Sequence, residues 1–472
     1  MGVRGLQAFM ERCCPEACEV VNLRESTIVV DGMACLRHWY TSKDWLCGGQ
    51  WKEYMDVLKS WVETFTTAGI RLVFFFDGVV KEQKRPEWVK RRRKVNAEVS
   101  KIFHFVTKHK KQPVRDLFCL PFGLATFTCF ALRTLGQEVF CTLQEADYEI
   151  ASYACQHGSM GILGQDSDFL IYDSAPYFSV EKLRIDSLTT VLYNRHRLCQ
   201  SLALVEKMYH IRNDALATYR WLIVFSHLVS SVWEGKRGES GLIPQCLNLS
   251  GSQREILQRV LDLYLLPAQR CDILTPSSDP DFEKHISAEA CREKHVVAEG
   301  FMVYGVIWEG VIEYNNTLED ENDPELLPLA VLYKLCRQLI YGLLLLNRED
   351  DICSDLPAVR EWFAYPGNSL LEPDMVHPIP REKPSLDLLW FATRPEVAAP
   401  RLTTFLSIFD CPEYSELYGN IEDSLLAALC LLTYIVLQIK SLSQEDLDAY
   451  LSQAVCLRLK SAQKLQQIKV SQ

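Results

Sequence analysis

Six carboxylates stand where short apolar runs end. Asp31 closes the run at 28–31 and Asp77 the run at 72–77. Glu145 and Asp147 follow the run at 138–141, and Asp166 and Asp168 follow 161–164. Carboxylates brought together repel one another unless cations neutralise them. Hard divalent cations take oxygen ligands. Two such ions about 3.5–4 Å apart can activate water and stabilise the leaving oxygen of a phosphodiester. Asp31, Asp77, Glu145, Asp147, Asp166 and Asp168 are therefore expected to be ligands of Mg2+ or Mn2+. A single Asp after a strand is as often a helix N-cap, but capping alone is a poor account of six. Asp44, Asp56, Asp173 and Asp186 have no such placement and read as surface residues.

The elements that must position these acids are legible. The four runs are rich in β-branched and aromatic residues and alternate with amphipathic segments. In 51–68, for example, Trp51, Tyr54, Leu58, Trp61, Val62 and Phe65 recur near the helical period. Strands alternating with helices predict an α/β fold with a parallel sheet and right-handed crossovers. The carboxyl ends of such strands share one edge of the sheet, with a crevice outside it. All six acids are expected there.

Four residues after Asp77 a basic segment begins. Residues 81–115 hold thirteen lysines and arginines against Glu82, Glu87 and Glu98, a local net charge of +10 in a chain of −11. The spacing predicts mainly one helix over 84–107, with Lys84 and Arg91 on one face turned to the acids. A cationic helix beside a metal pocket suits a phosphodiester backbone. A solvated helix face and a nuclear localisation signal at 90–94 (KRRRK) are the competing readings. Trp88, Phe103 and Phe105 read as anchors of that helix.

At 472 residues the chain exceeds one core. Its 48% hydrophobic and 24% charged residues are ordinary for a globular protein. The net charge argues against a nucleic-acid coat over the whole molecule. The 18 cysteines form no C-x-x-C pair and read as reduced thiols, not a disulfide framework or zinc module. No secretory signal is visible, and Gly2 lacks the Ser or Thr at position 6 that myristoylation needs. The apolar stretch 425–439 is shorter than the ~20 residues of a membrane span and reads as a buried helix. The expected organisation is a sheet domain over 1–190, a helical extension over 191–270 and a linker over 271–299. A hairpin about Glu309-Gly310, from 301–308 and 311–314, then leads into a mainly helical region over 300–472.

MGVRGL at the start, IVVDG, FFFDG, the EAD pair and the DSD pair together resemble the XPG/flap-endonuclease superfamily, whose core is a PIN-like fold. The resemblance aligns the six acids with that family's metal ligands, Asp147 standing where Glu is usual. It aligns Lys84 and Arg91 with the bases that steer phosphate. GGQWKEY, EWVKRR, LGQEVFCTLQEADYE and GILGQDSDFLIYD look like the asteroid-related branch, over residues 1 to about 198 and more loosely from about Gly300. That likeness implies a nuclear transcriptional coactivator of PPAR-gamma and related receptors, the retinoid X and estrogen receptors among them, promoting adipogenic gene expression. The alternative it implies is a magnesium-dependent, structure-specific nuclease.

One departure bears on the choice. The superfamily follows its D-x-D with a Gly-Asp site and a glycine-containing helical clamp for duplex DNA. Residues 205–242 carry no such pattern: Asp214 has the wrong neighbours, and Gly235, Gly238 and Gly241 read as loop. The lost clamp points away from efficient cleavage. No L-x-x-L-L receptor motif is complete; the nearest, Ile340 to Leu344, lies in an apolar helix and reads as core.

Overall fold

The computed structural model describes residues 6–201 apart from 42–44, 48–49, 115–116 and 199, and scattered positions from 251 to 266. It also describes 286–452 apart from 301, 324–325, 347–355, 366, 381–383, 385, 440–441 and 449–450. The chain divides into two compact units, 1–90 with 105–309 and 91–104 with 310–472.

The first unit is built on a seven-stranded sheet. Its strands are β1 (Cys18–Asn22), β2 (Thr27–Asp31), β3 (Arg71–Phe76), β4 (Glu138–Cys141), β5 (Gly161–Gly164), β6 (Tyr177–Ser179) and β7 (Thr189–Tyr193), in the order β1-β7-β6-β5-β2-β3-β4. β2 to β6 run parallel, as the alternation of strands and helices predicts. β7 reverses direction, antiparallel to both β6 and β1, and β1 forms the edge of the sheet. The central strands are apolar throughout because both faces of the sheet are covered. Phe75 meets Tyr153 of α6 (Ala146–Gln156), with ring centroids 5.3 Å apart. Phe74, pointing the other way, packs on Trp39 of α2 (Gly32–Trp39) and Trp61 of α3 (Trp51–Thr67). The helical pattern read in 51–68 is borne out: Tyr54, Leu58, Trp61, Val62 and Phe65 are the buried residues of α3.

The basic segment forms a 3-10 turn, Glu82–Lys84, then the 25-residue helix α4 (Arg85–His109) with Pro86 in its first turn. Pro is suited there because that N–H has no partner within the helix. Its middle, 91–104, belongs to the second unit. The helix is anchored by Val89, Val99 and Ile102, all buried.

Residues 286–296, expected within a linker, instead form helix α7 (Ile286–Val296), which packs against β4. Its Cys291, Arg292, His295 and Val296 are buried. Polar residues of this segment, Arg292 and His295, are themselves buried, so its polar composition does not mark a solvated linker. The diverged stretch 205–242 and Asp214 lie outside the described residues.

In the second unit, β8 (Val311–Tyr314) and β10 (Asp374–Val376) flank β9 (Val359–Phe363). The expected hairpin about Glu309-Gly310 is not formed. Residues Gly305–Glu309 coil into a π-helical turn, and β8 pairs parallel with β9, a strand nearly fifty residues on. Short apolar runs do not distinguish helix from strand by periodicity, and Gly310, at φ +61°, turns the chain either way. The nearest approach to a receptor motif lies in helix α8 (Lys334–Leu345), where Leu339, Tyr341, Gly342 and Leu344 are buried as core. Asp423–Gln438 is the helix expected at 425–439, burying Leu426, Cys430, Leu432 and Tyr434. Among the described residues no helix is long and apolar enough to cross a membrane.

Candidate metal centre

Each acid is placed by the end of a parallel strand. Asp31 is the last residue of β2, and its Oδ1 accepts from Ala34 N at 3.1 Å, so it caps α2. Gly32 must follow it: a Cβ there would lie 2.4 Å from the Phe76 ring. Asp77 follows β3 and is exposed. Glu145 is the N-cap of α6, and Asp147 lies in its first turn. Asp166 follows β5 and caps the 3-10 turn Ser167–Leu170 by accepting from Asp168 N at 3.1 Å. Capping and ligation are thus not exclusive: a carboxylate bonds a backbone N–H with one oxygen and keeps the other for a cation.

Three of the six come to ligand distance. Asp147, Asp166 and Asp168 each offer a carboxylate oxygen, and these atoms lie within 4.8 Å of one another. Asp31 is close enough to Asp77 and Asp166 to be repelled by both. Burial, reinforced by those neighbours, raises its pKa to about 7. Burial and then Asp166 raise Asp168 to about 7 as well, and Asp168 is only 6% exposed. Asp147 is raised by burial, then by Asp166, Asp31 and Asp168. A pocket whose acids resist ionisation is short of positive charge. An all-carboxylate donor set at this spacing fits a hard divalent cation, Mg2+ or Mn2+.

Lys84 forms an ion pair with Glu145, whose side chain is about one-third exposed. Lys84 also favours the ionised form of Asp168. Arg91 lies seven residues further along α4, in the stretch that belongs to the second unit.

Two participants escape a reading of the sequence. The Tyr264 hydroxyl donates to Asp168 Oδ1 at 3.1 Å, and its ring packs on Tyr172, centroids 5.1 Å apart. Nothing marks a lone tyrosine 96 residues beyond its partner. Glu149 is buried and accepts from the backbone N–H groups of Leu143 and Gln144, bracing the turn that delivers Glu145 and Asp147. Its position, one helical turn after Glu145, is the available signal, since such a carboxylate can reach back over a helix start.

A largely parallel sheet with helices on both faces, acids at its carboxyl edge and a long basic helix after β3 define a PIN-like domain of the flap-endonuclease class. No family profile matches the sequence. The chain is 37% identical to the bovine constitutive coactivator of peroxisome proliferator-activated receptor gamma, over 98% of this chain and 83% of the relative. It is 35% identical to the mouse protein of the same name, over 100% of this chain and 81% of the relative. The chain belongs to the family of constitutive coactivators of PPAR-gamma. Among solved structures, human GEN1 in complex with Holliday junction DNA aligns at 14% identity over 66% of this chain and 79% of that one, TM-score 0.35.

Proposed function

We propose that this chain is a nuclear transcriptional coactivator of PPAR-gamma that promotes adipogenic gene expression, its nuclease-like domain serving as a scaffold for partners. The observation that carries the reading is the 37% identity to a constitutive coactivator of PPAR-gamma along 98% of the chain. That likeness runs beyond the acidic pocket and through both units, as expected where surfaces and not one pocket are kept. The retinoid X and estrogen receptors are proposed as further partners on the same ground.

A nuclease reading draws on the Asp147, Asp166 and Asp168 cluster. Against it stands the sequence of 205–242, which lacks the glycine-containing clamp. Catalysis needs the scissile phosphate held in attack geometry, and ~1 Å of misplacement can cost about a hundredfold. Asp31, Asp77 and Glu145 complete the proposed ligand set, and Lys84 and Arg91 form the proposed nucleic-acid contact. A phosphate would have to compete with Glu145 for Lys84.

The test is binding of the purified full chain to the purified ligand-binding domains of PPAR-gamma, the retinoid X receptor and the estrogen receptor. Saturable binding to PPAR-gamma that survives Asp166→Ala with Asp168→Ala is expected. Failure to bind PPAR-gamma would reject the reading.

A further inference from the structure

We propose that residues 454–472, a basic and apolar segment of this chain, dock in cis on an acidic and apolar surface formed by residues 319–335 of the second unit. Five large apolar side chains there, Leu326, Leu327, Leu329, Val331 and Leu335, are 41–56% exposed. Single exposed leucines are ordinary, but five such residues within ten positions mark a surface that binds something. This is not the face that builds the core. Leu332, Cys336 and Leu339 are buried at helical spacing. Val331 and Leu335, one helical turn apart, form the neighbouring stripe and are open to solvent. The acids Glu319, Asp320, Glu321 and Asp323 precede the leucines in sequence. Glu319 Oε1 accepts from Leu329 N at 3.2 Å, which ties the acidic stretch to the start of the helix Leu329–Leu332. Arg337 of α8 donates to the Ala330 carbonyl and holds that turn from below.

Charge selects the occupant. Glu319, Asp320 and Glu321 form no ion pair among the described residues. Lys334 is the neighbouring exposed base, and it leaves the surface acidic on balance. Residues 454–472 hold Arg458, Lys460, Lys464 and Lys469 and no Asp or Glu, a net charge of +4. Leu457, Leu459, Leu465 and Ile468 stand among these bases. Such a basic, apolar segment complements carboxylates set beside leucines. Exposed ion pairs contribute little singly, so burial of the leucines supplies most of the affinity and the charges supply the choice of partner. Chain connection favours docking in cis. The Tyr434 hydroxyl donates to the Leu332 carbonyl at 2.9 Å, which fastens the helix Asp423–Gln438 to this surface. Arg458 lies only 24 residues beyond Tyr434. A short tether sets an effective concentration on the order of mM, so a contact too weak to join separate molecules is populated within one.

The inference depends neither on receptor binding nor on the acidic pocket. Its test uses the full chain and a fluorescent peptide of residues 454–472. Lys460→Glu with Lys464→Glu, which frees the surface by reversing charge in the chain's own segment, is expected to bind the peptide about tenfold more tightly than the wild type. Adding Leu327→Ser and Leu329→Ser to that variant is expected to abolish the binding. All four side chains lie outside the core, and far-ultraviolet circular dichroism checks that each variant is folded. Carbodiimide cross-linking of mixed unlabelled and isotope-labelled wild type then reads where the segment sits. Links from Lys460, Lys464 or Lys469 to Glu319, Asp320, Glu321 or Asp323 are expected within single molecules. Equal peptide binding by the wild type and the charge-reversed variant would overturn docking in cis, as would links that join labelled to unlabelled molecules, which would give the surface to a second copy. No peptide binding by the charge-reversed variant, or binding that survives the two leucine substitutions, would overturn the docking surface itself.

Discussion

The imidazole of His295 donates from Nε2 to the carbonyl oxygen of Thr142, 3.2 Å away. This contact fastens α7, a segment whose composition reads as a linker, to the turn after β4. Gly78 makes room for it: a Cβ there would lie 1.9 Å from the Thr142 oxygen and 2.6 Å from His295 Nε2. Gly78→Ala is therefore expected to destabilise the first unit by about 1–3 kcal/mol, the usual range for overpacking. Urea unfolding followed by circular dichroism measures it; an unchanged midpoint would show that α7 is not held at this point.

Burial lowers the pKa of His295 below its ordinary 6.5, the Thr142 carbonyl opposing in part. The neutral ring is the form that packs. A folded-state pKa below the unfolded value means that its stabilisation is present above pH 6.5 and is lost as the pH falls through the folded pKa. The thermal midpoint of the wild type relative to His295→Gln should accordingly be highest near pH 7.5 and fall toward pH 5. A difference that stays flat over that range would contradict the burial of a neutral imidazole.

The acidic pocket titrates with the opposite sign. Asp31 and Asp168 are raised to about 7 from 3.8, chiefly by burial. A raised carboxyl stabilises the fold below the unfolded pKa, and that contribution is lost as the pH rises through about 7. Metal-free protein should lose stability between pH 5 and pH 8 relative to Asp166→Ala with Asp168→Ala. A cation that binds only the folded state restores it by mass action. Mg2+ should raise the wild-type thermal midpoint more at pH 8 than at pH 6, chelation should reverse the gain, and the double substitution should abolish it.

In the second unit Glu361, 2% exposed, receives Arg337 through two bonds of 2.7 and 2.9 Å and the Tyr341 hydroxyl at 2.6 Å. The Arg337 guanidinium also lies 4.5 Å from the Phe363 ring centre. Removing one partner leaves a buried charge uncompensated. Arg337→Met is expected to cost about 3–5 kcal/mol and Arg337→Met with Glu361→Gln less, which a denaturant series on the wild type and these two variants would resolve.

The placement of the acids was legible because three simple signals agreed. Strands β2 to β5 are apolar runs, each run ends on a carboxylate or is followed by one within four residues, and a parallel sheet puts those ends on one edge. What local pattern does not encode was missed. β1 forms one edge and lies beside β7, a pairing that joins residues as distant as Cys18 and Tyr193. The Asp168 partner, Tyr264, arrives from a separate element, and so does Glu361's partner Arg337. The hairpin at Gly310 failed for the same reason: a glycine fixes that the chain turns, but the partner of Val311–Tyr314 was Val359–Phe363, chosen by packing. In the site, sequence spacing grouped six carboxylates, whereas side-chain geometry brings three to ligand distance and gives Glu145 to Lys84.

The central claim is that this nuclease-like fold recruits and does not cut. The most direct measurement runs a PPAR-gamma reporter assay beside a Mg2+-dependent cleavage assay on flap, fork and single-stranded DNA. Both compare the wild type with Asp166→Ala plus Asp168→Ala. Equal reporter activation by the two proteins, with little or no cleavage by either, is the predicted result. Robust wild-type cleavage that the substitution abolishes, with reporter activation falling in parallel, would contradict it.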